Sequence, residues 1–143
     1  SYMKFKLSIR EFFESKFPTD EIKTDMEYTI YAEGFYRAIE TVSKLNKPIY
    51  ITENGIADKA DNSRKIYIER YLYALQKAMK DGFDVKGYFY WSLMDNFEWA
   101  EGYDMCFGLY EVDFETQRRT LRKGAERFKE IVNQSKSVNQ NQD

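Results

Sequence analysis

Apolar residues recur at helical spacing in three stretches of this chain. Between Glu33 and Leu45 they stand three or four positions apart, the spacing that places side chains on one face of a helix. The members of this face are Phe35, Ala38, Ile39, Val42 and Leu45. Asn46-Lys47-Pro48 ends the helix, because proline cannot continue it and restricts the residue before it.

The same spacing predicts two further helices. One begins at a cap on Asp61 or Ser63 and stops at Gly82, and the other runs from about Arg122 to Val132. Their inward positions are Ile68, Tyr71, Leu72, Leu75 and Met79 in the first helix, and Ala125, Phe128 and Val132 in the second.

The two ends of the chain lack a clean period. We interpret Ser1–Asp25 as a long connection with a short helical stretch before Pro18. Asn133–Asp143 is almost wholly polar, so we expect a disordered tail there. Residues 1–132 are therefore expected to form one structured segment of a single domain.

Short continuous apolar runs predict the strands. Ile49–Thr52 and Val85–Leu93 show almost no polar alternation, which is typical of strands buried on both faces of a parallel sheet. Leu109–Phe114 and Arg118–Thr120 predict a short hairpin. The order of elements indicates an α/β fold. Because two buried strands cannot close a barrel, either another chain completes the sheet or the chain is part of a longer protein; we favour the second.

The amino-acid composition excludes several classes of function. The 143 residues carry 22 basic and 24 acidic side chains and no histidine. The balanced charge argues against a nucleic-acid partner, and the missing histidine excludes Ser-His-Asp and Cys-His nucleophile systems. The single Cys106 excludes an internal disulfide and favours a reducing compartment, so we expect a cytoplasmic protein. No apolar run approaches the roughly 20 residues that span a bilayer, so no membrane partner is expected.

The first candidate site is Thr52-Glu53-Asn54-Gly55, at the carboxyl end of a predicted buried strand. In α/β folds ligands bind at that edge, and a carboxylate there can act as a nucleophile. The alternative is that Glu53 only solvates the end of the strand and that Asn54-Gly55 is an ordinary turn.

The second candidate site is Tyr90–Trp99, which runs off the second strand and combines two tryptophans, two acids and an asparagine. Sugars have apolar C–H faces and hydroxyl groups, so aromatic platforms beside carboxylates suit them. The alternative is a core strand with a polar cap.

Elsewhere we interpret Cys106 as a packed thiol and Asp58, Asp61 and Asp81 as caps or solvated acids. No glycine-rich phosphate loop or metal cluster is visible, so we expect no cofactor.

An ordered series of motifs lies within the region from about Thr24 to Val132. Its members are Thr24-Asp25-Met26, Glu33-Gly34, Pro48-Ile49-Tyr50-Ile51-Thr52-Glu53-Asn54-Gly55, Gly87-Tyr88-Phe89, Trp91-Ser92-Leu93, Asp95-Asn96-Phe97-Glu98-Trp99, Glu101-Gly102-Tyr103, Phe107-Gly108-Leu109, Val112-Asp113 and Arg119-Thr120. A lone Thr-Glu-Asn-Gly has little weight, but the whole set at these separations is specific. The series resembles the C-terminal part of glycoside hydrolase family 1, the β-glucosidase family.

The resemblance implies a (β/α)₈ TIM barrel of which the two predicted strands are the seventh and eighth. It implies that Glu53 is the catalytic nucleophile, Trp91 the platform under the sugar ring and Glu98 the acid that holds O4 and O6. It also implies that Trp99 donates to O3 and that Phe107 lies beside the O6 arm. Branches of the family that act on 6-phosphorylated sugars lack this acid, so Glu98 implies unphosphorylated β-glucosides or β-galactosides.

The sequence departs from the family pattern in several places. Ala32, Cys106 and Leu121 stand where the family usually has proline, arginine and proline. More important, the Asn-Glu-Pro motif that carries the family's acid/base does not occur in this chain. The resemblance places that motif upstream, so the N-terminal remainder of the barrel is the expected partner, and we expect these 143 residues alone to be inactive.

The implied reaction is hydrolysis of a β-glycoside with retention, through a glycosyl-enzyme formed on Glu53. A second carboxyl group, about 5–5.5 Å away, must protonate the leaving oxygen and later activate water. The alternative is a non-catalytic carbohydrate-binding or inactive member of the family. The presence of Glu53 counts against that alternative, because binding alone needs no nucleophile.

Overall fold

The structure, a computed structural model, describes residues 22–139. The helical stretch expected before Pro18 lies outside this range. The described elements are helices α1 (Ala32–Ser43), α2 (Arg64–Lys80) and α3 (Glu126–Asn139), strands β1 (Ile49–Asn54), β2 (Val85–Tyr90), β3 (Tyr110–Val112) and β4 (Arg119–Leu121), and 3₁₀ turns at Trp99–Glu101 and Lys123–Ala125. The three helices, the two longer strands and the hairpin predicted from the sequence are confirmed, with ends shifted by a few residues.

Strands β1 and β2 pair in parallel, as their lack of polar alternation predicted. The pairing is irregular near the carboxyl end, where Ile51 and Asn54 of β1 stand opposite Tyr88 and Tyr90 of β2. Three steps along β1 therefore match two along β2, so a bulge falls at Thr52 and Glu53. Strands β3 and β4 form a separate antiparallel hairpin.

Helices α1 and α2 pack against one face of the β1–β2 sheet. The core there consists of Ala32, Tyr36, Ile39, Ile49, Ala74, Ala78 and Val85. The predicted inward face of α1 was right at Ile39 and wrong at Ala38, Val42 and Leu45, which are exposed. Ala38 and Val42 lie on another side of the helix and Leu45 lies beyond its end, and no described residue covers them.

The inward face of α2 differs from the prediction at both ends. Met79 was expected inside and is exposed, whereas Arg64 and Arg70 are buried. Ile68 is fully buried, as predicted. It joins Leu109 and Ala125 in a second cluster, which fastens α2 to α3 and to the hairpin.

The other face of the sheet is open. Both strands were expected to be buried on both faces, and this is wrong for the described chain: Tyr50 and Phe89 are each 60% exposed. The two rings share one face, since a side chain placed on Gly87 would meet both. The physical reason is that helices cover the sheet on one side only within residues 22–139.

The chain remains helical beyond the predicted end of the last helix. The tail expected from Asn133 is wrong for residues 133–139, because α3 continues to Asn139. Serine, glutamine and lysine in this segment are compatible with a helix once Phe128 and Ile131 anchor the preceding turns in the core. Residues 140–143 lie outside the described range. None of the described helices is both long and apolar enough to cross a membrane.

Candidate active site

The carboxyl ends of β1 and β2 meet at one edge of the sheet. Asn54 pairs with Tyr90, and the Trp91 amide donates to the Asn54 carbonyl at 3.1 Å. A Cβ on Gly55 would lie 1.5 Å from the Trp91 carbonyl oxygen, so only glycine fits there. The turn after the Glu53 strand and the segment that begins with Trp91 are thus in direct backbone contact, as expected for the ends of neighbouring parallel strands.

Glu53 lies in the bulge of β1 and is exposed. Its carboxylate has no hydrogen-bond or ion-pair partner among residues 22–139. The side chain of the next residue, Asn54, is held in place, because the Tyr88 hydroxyl donates to its amide oxygen at 2.8 Å. The result is a free carboxylate beside a held amide, and such a carboxylate can accept hydrogen bonds or attack an electrophile.

Trp91 begins a long excursion that leaves the β1–β2 sheet and ends at Tyr110, the first residue of β3. The Trp91–Ser92 peptide bond is cis. The two arms of the excursion are joined at its base, where the Ser92 amide donates to the Phe107 carbonyl and the Leu109 amide donates to the Ser92 carbonyl, at 3.3 and 2.9 Å. Phe107 is therefore held next to the residue that follows Trp91.

Glu98 and Trp99 lie on a tight turn at the far end of this excursion. The Glu98 amide donates to the Gly102 carbonyl at 2.7 Å, and the Glu101 amide donates back to the Glu98 carbonyl at 2.8 Å. Trp99 has φ of 42° and is 83% exposed. A bulky residue in the left-handed region is strained, and such strain occurs most often at functional sites.

A buried ion pair that the sequence analysis missed fixes the returning arm. Arg122 and Asp95 bond at 2.9 Å and are both buried. The Asp95 carboxylate also accepts from the Gly108 and Val112 amides, at 2.9 and 3.3 Å. Arg122 in turn donates to the Gly108 carbonyl at 3.1 Å. Charged residues separated by this distance in sequence carry no periodic signal that would have revealed the pair.

Arg64 is a second buried charge that sequence reasoning missed. It is fully buried and donates to groups in several loops at this edge of the sheet. The sequence did contain a signal for this burial, since position 64 precedes Ile68 by four residues and so shares its helix face. An arginine at an inward position is most simply explained by hydrogen bonding of its head group.

The acids interpreted as caps behave in three different ways. The Asp58 carboxylate is the cap of α2, because it accepts from the amides of Asn62, Ser63 and Arg64. Neither predicted capping side chain has that role: Ser63 makes no capping bond, and Asp61 instead bonds to Arg64 and to the Gly124 amide, at 2.9 and 2.7 Å.

Asp81, at the other end of α2, accepts from Lys77 and from the Tyr36 hydroxyl. Burial raises the pKa of Asp81, but these two donors outweigh it and hold the pKa below its usual value. Cys106 is buried, and burial, with the nearby Asp95 charge, raises the pKa of its thiol. The exposed Asp81 agrees with the cap or solvated acid expected there, and the buried Cys106 agrees with the expected packed thiol. Residues 22–139 contain no cluster of Cys, Asp or Glu placed to hold a metal ion.

The structure thus brings part of the predicted site together. Glu53 and Trp91 lie at one edge, since Asn54 and Gly55, which follow Glu53, contact the Trp91 backbone, and Phe107 is tied beside Ser92. Glu98 and Trp99 are on the same excursion, and neither side chain bonds to Glu53 within the described part of the chain.

The comparisons with known proteins agree on one family. The model of the family described as "Glycosyl hydrolase family 1" matches residues 3–137. The chain is similar to a beta-galactosidase from Pyrococcus woesei, with 47% identity over 114 residues, which cover 79% of this chain and 22% of that protein. It is also similar to a 6-phospho-beta-galactosidase from Leptotrichia buccalis, with 44% identity over 76% of this chain and 26% of that protein.

Among solved structures, the chain resembles the hyperthermophilic beta-glucosidase from Pyrococcus furiosus. The identity is 44% and the TM-score 0.78, over 82% of this chain and 25% of that one. The chain therefore spans about a quarter of the length of the proteins it matches.

Proposed function

Because this chain belongs to glycosyl hydrolase family 1, we propose that it is the C-terminal part of a retaining β-glycosidase. Enzymes of this family are TIM barrels, and the chain is an α/β portion of one. The observation that carries the proposal is the meeting of the Glu53 turn with Trp91 at the carboxyl edge of two parallel strands. That edge is where TIM-barrel enzymes hold their catalytic groups.

In this proposal β1 and β2 are the seventh and eighth strands of the barrel. Two features support the assignment. Helices cover the sheet on one face, as they cover the outside of a barrel, while Tyr50 and Phe89 on the other face are open. In a closed barrel such residues fill the interior. The matched relatives are about four times as long as the stretch they share with this chain, which is enough for six further strands.

Glu53 is the nucleophile of the proposed reaction. One of its carboxylate oxygens attacks the anomeric carbon of the sugar, and the bond to the leaving oxygen breaks as a second carboxylic acid protonates that oxygen. The same second group, now a carboxylate, takes a proton from water, which attacks the anomeric carbon and releases Glu53. We expect this acid/base on the remainder of the barrel, about 5–5.5 Å from Glu53. A free, exposed carboxylate in a bulge suits the attacking role.

Trp91, Glu98, Trp99 and Phe107 recognise the sugar. The indole of Trp91 lies under the apolar face of the ring, and Phe107, tied to the base of the same excursion, lies beside the O6 arm. Glu98 accepts hydrogen bonds from the O4 and O6 hydroxyls, and the Trp99 indole donates to O3. The strained backbone of Trp99 supports a role in binding, since nothing in its own packing explains it.

The glycone is an unphosphorylated glucose or galactose. Residues 87–117 include all of these sugar-binding side chains, and they contain seven acidic residues and no lysine or arginine. A sugar phosphate would meet repulsion from Glu98 and find no basic partner in this segment. The alternative, a 6-phosphorylated substrate, has support from the 6-phospho-beta-galactosidases among the relatives.

The test uses the full-length protein and two probes. A 2-deoxy-2-fluoro-β-glycoside should form a stable glycosyl-enzyme, and peptide mapping should find the label on Glu53. Glu53→Gln should lower kcat by roughly 10⁴-fold, because it removes the nucleophile. The matched control, Glu111→Gln at the exposed middle position of strand β3, should retain activity.

A label on another residue would refute the role of Glu53. Sugar binding without turnover would favour the non-catalytic alternative. Parallel assays of aryl β-glucosides, β-galactosides and their 6-phosphates should show faster hydrolysis of the unphosphorylated sugars, and the reverse order would refute that assignment.

A further inference from the structure

Arg64 is a fully buried arginine at the start of α2, and all three nitrogen atoms of its side chain donate hydrogen bonds. The Nε atom bonds to the Asp61 carboxylate at 2.9 Å, which balances the charge. Burial alone would lower the pKa of Arg64, but its contacts with Tyr90, Asp61 and Asp58 hold that pKa above its usual value. The group is therefore a permanent cation, held in one orientation.

The two terminal nitrogens reach three separate segments of the proposed active site. In the turn that follows Glu53 they donate to the carbonyls of Ile56 and Asp58, at 3.1 and 2.7 Å. At the end of β2, immediately before Trp91, they donate to the Tyr90 hydroxyl at 3.0 Å.

In the third segment, which carries Phe107, the same nitrogens donate to the carbonyls of Cys106 and Phe107, at 3.0 and 3.1 Å. The Asp58 amide also donates to the Cys106 carbonyl, at 3.1 Å. The turn after the nucleophile strand and the Phe107 segment are thus joined both directly and through one guanidinium.

We propose that Arg64 is a positioning residue that sets the distance between the Glu53 carboxylate and the sugar-binding rings of Trp91 and Phe107. It touches neither substrate nor Glu53 and acts through the three backbone segments that it joins. The proposal rests on the proposed function, since it concerns the geometry of that same site. A planar fork with five N–H donors can join three segments at once, whereas a lysine ammonium is a compact group with three donors on one atom.

A purely structural role predicts something different. If Arg64 only stabilised the fold, its replacement would lower the free energy of unfolding and leave the turnover of folded molecules unchanged. A positioning role predicts slower chemistry in molecules that remain folded, because a shift of about 1 Å between nucleophile and sugar can cost about 100-fold in rate.

The experiment compares three variants of the full-length protein at a temperature where circular dichroism shows each to be folded. Arg64→Lys should lower kcat/KM by about 100-fold, mainly through kcat, with a slower glycosylation step in pre-steady-state kinetics. Arg37→Lys is the chemical control, since Arg37 is exposed and, among residues 22–139, its side chain pairs with Glu33 on α1. Ile39→Ala is the stability control, since Ile39 is buried in the cluster away from these loops. Both controls should remain within about twofold of wild type.

A fourth variant covers the case in which Arg64→Lys does not fold. Tyr90→Phe removes one hydroxyl that accepts from Arg64 and keeps the ring packed against Phe128. It should lower kcat about fivefold to tenfold with little change in KM, less than Arg64→Lys, because only one of the Arg64 hydrogen bonds is lost.

Each result decides the proposal. Wild-type kcat in folded Arg64→Lys, or in Tyr90→Phe where Arg64→Lys does not fold, would overturn it. So would an equal loss of kcat in Ile39→Ala, because stability alone would then explain the effect. A wild-type protein that forms no glycosyl-enzyme on Glu53 would refute the proposed function, and the role of Arg64 with it; hydrolysis by wild type with unaffected variants would refute the role of Arg64 alone.

Discussion

At the scale of single residues, Gly55 is the position where sequence and structure are most tightly linked. Its hydrogen atom points at the Trp91 carbonyl, and no side chain has room there. The Asn54-Gly55 pair was also open to interpretation as an ordinary turn. The structure shows a different need for glycine, namely the close approach of two strand ends.

We expect Gly55→Ala to lower the free energy of unfolding by about 3 kcal/mol or more, because the backbones of two strand ends must separate. The matched control is Gly82→Ala just past the end of α2, which has φ of 96° and open space around it. That change should cost about 1–2 kcal/mol, the cost of a left-handed conformation. Urea unfolding measures both values, and equal losses would contradict the close approach.

The partners of the buried charged residues could not be inferred from the sequence alone. Asp95, Arg122 and Arg64 lie inside the protein, although charged residues are seldom buried unless they are paired. Their partners include other side chains, as in the Asp95–Arg122 pair, and main-chain groups in loops far away in sequence. A sequence shows that such residues exist, but only the folded chain shows that their partners come within reach.

At the scale of elements, the helices were predicted well in position and less well in orientation. Apolar spacing identified α1 and α2 because a helix repeats its faces every 3.6 residues. It misjudged Val42, Leu45 and Met79, which are exposed. Spacing reports that a face is apolar, whereas the neighbour that covers the face belongs to tertiary structure.

A cluster of tyrosines between α2 and β2 leads to a prediction about pH. Burial raises the pKa of Tyr67, Tyr71, Tyr88 and Tyr90. The folded protein therefore retains protons that the unfolded chain releases above its pKa of about 10. The stabilisation is complete below about pH 10 and is lost as pH rises, by up to about 1.4 kcal/mol per pH unit for each tyrosine.

The free energy of unfolding should accordingly fall between about pH 10 and 11.5. Urea titrations at several pH values measure the slope. Tyr67→Phe should give a shallower decline, while Tyr28→Phe, which removes an exposed hydroxyl, should retain the wild-type slope. Identical slopes in all three proteins would show that the buried tyrosines do not cause the effect.

At the scale of the whole molecule, the main feature is the uncovered face of the β1–β2 sheet. Tyr50 and Phe89 project from two adjacent parallel strands with no described residue over them. Parallel sheets are normally covered on both faces. The relatives are about four times longer than the shared stretch, so the missing cover fits the remainder of a barrel.

We expect Phe89→Asp to destabilise the full-length protein strongly, by about 3–5 kcal/mol, because it would bury an unpaired charge in the barrel interior. The control is Lys47→Asp, also an exposed position in this chain, where the cost should stay within about 1 kcal/mol, since lysine positions are seldom buried. Thermal or urea unfolding gives both values. A small effect at Phe89 would mean that this face stays open, and it would count against the barrel assignment.

The sequence by itself determined the order of helices and strands, because apolar periodicity, a local pattern, sets these elements. It also determined the family, because the spaced motifs from Thr24 to Thr120 identify the relationship. Tertiary structure alone decided which faces are buried, and it alone showed that Asp58 caps α2 and that two buried arginines fasten the loops around the candidate site. The Arg64 bond to the Phe107 carbonyl and the Arg122 bond to the Gly108 carbonyl join residues 43 and 14 positions apart. Such distances close only when the chain folds, and no periodic pattern along the sequence encodes them.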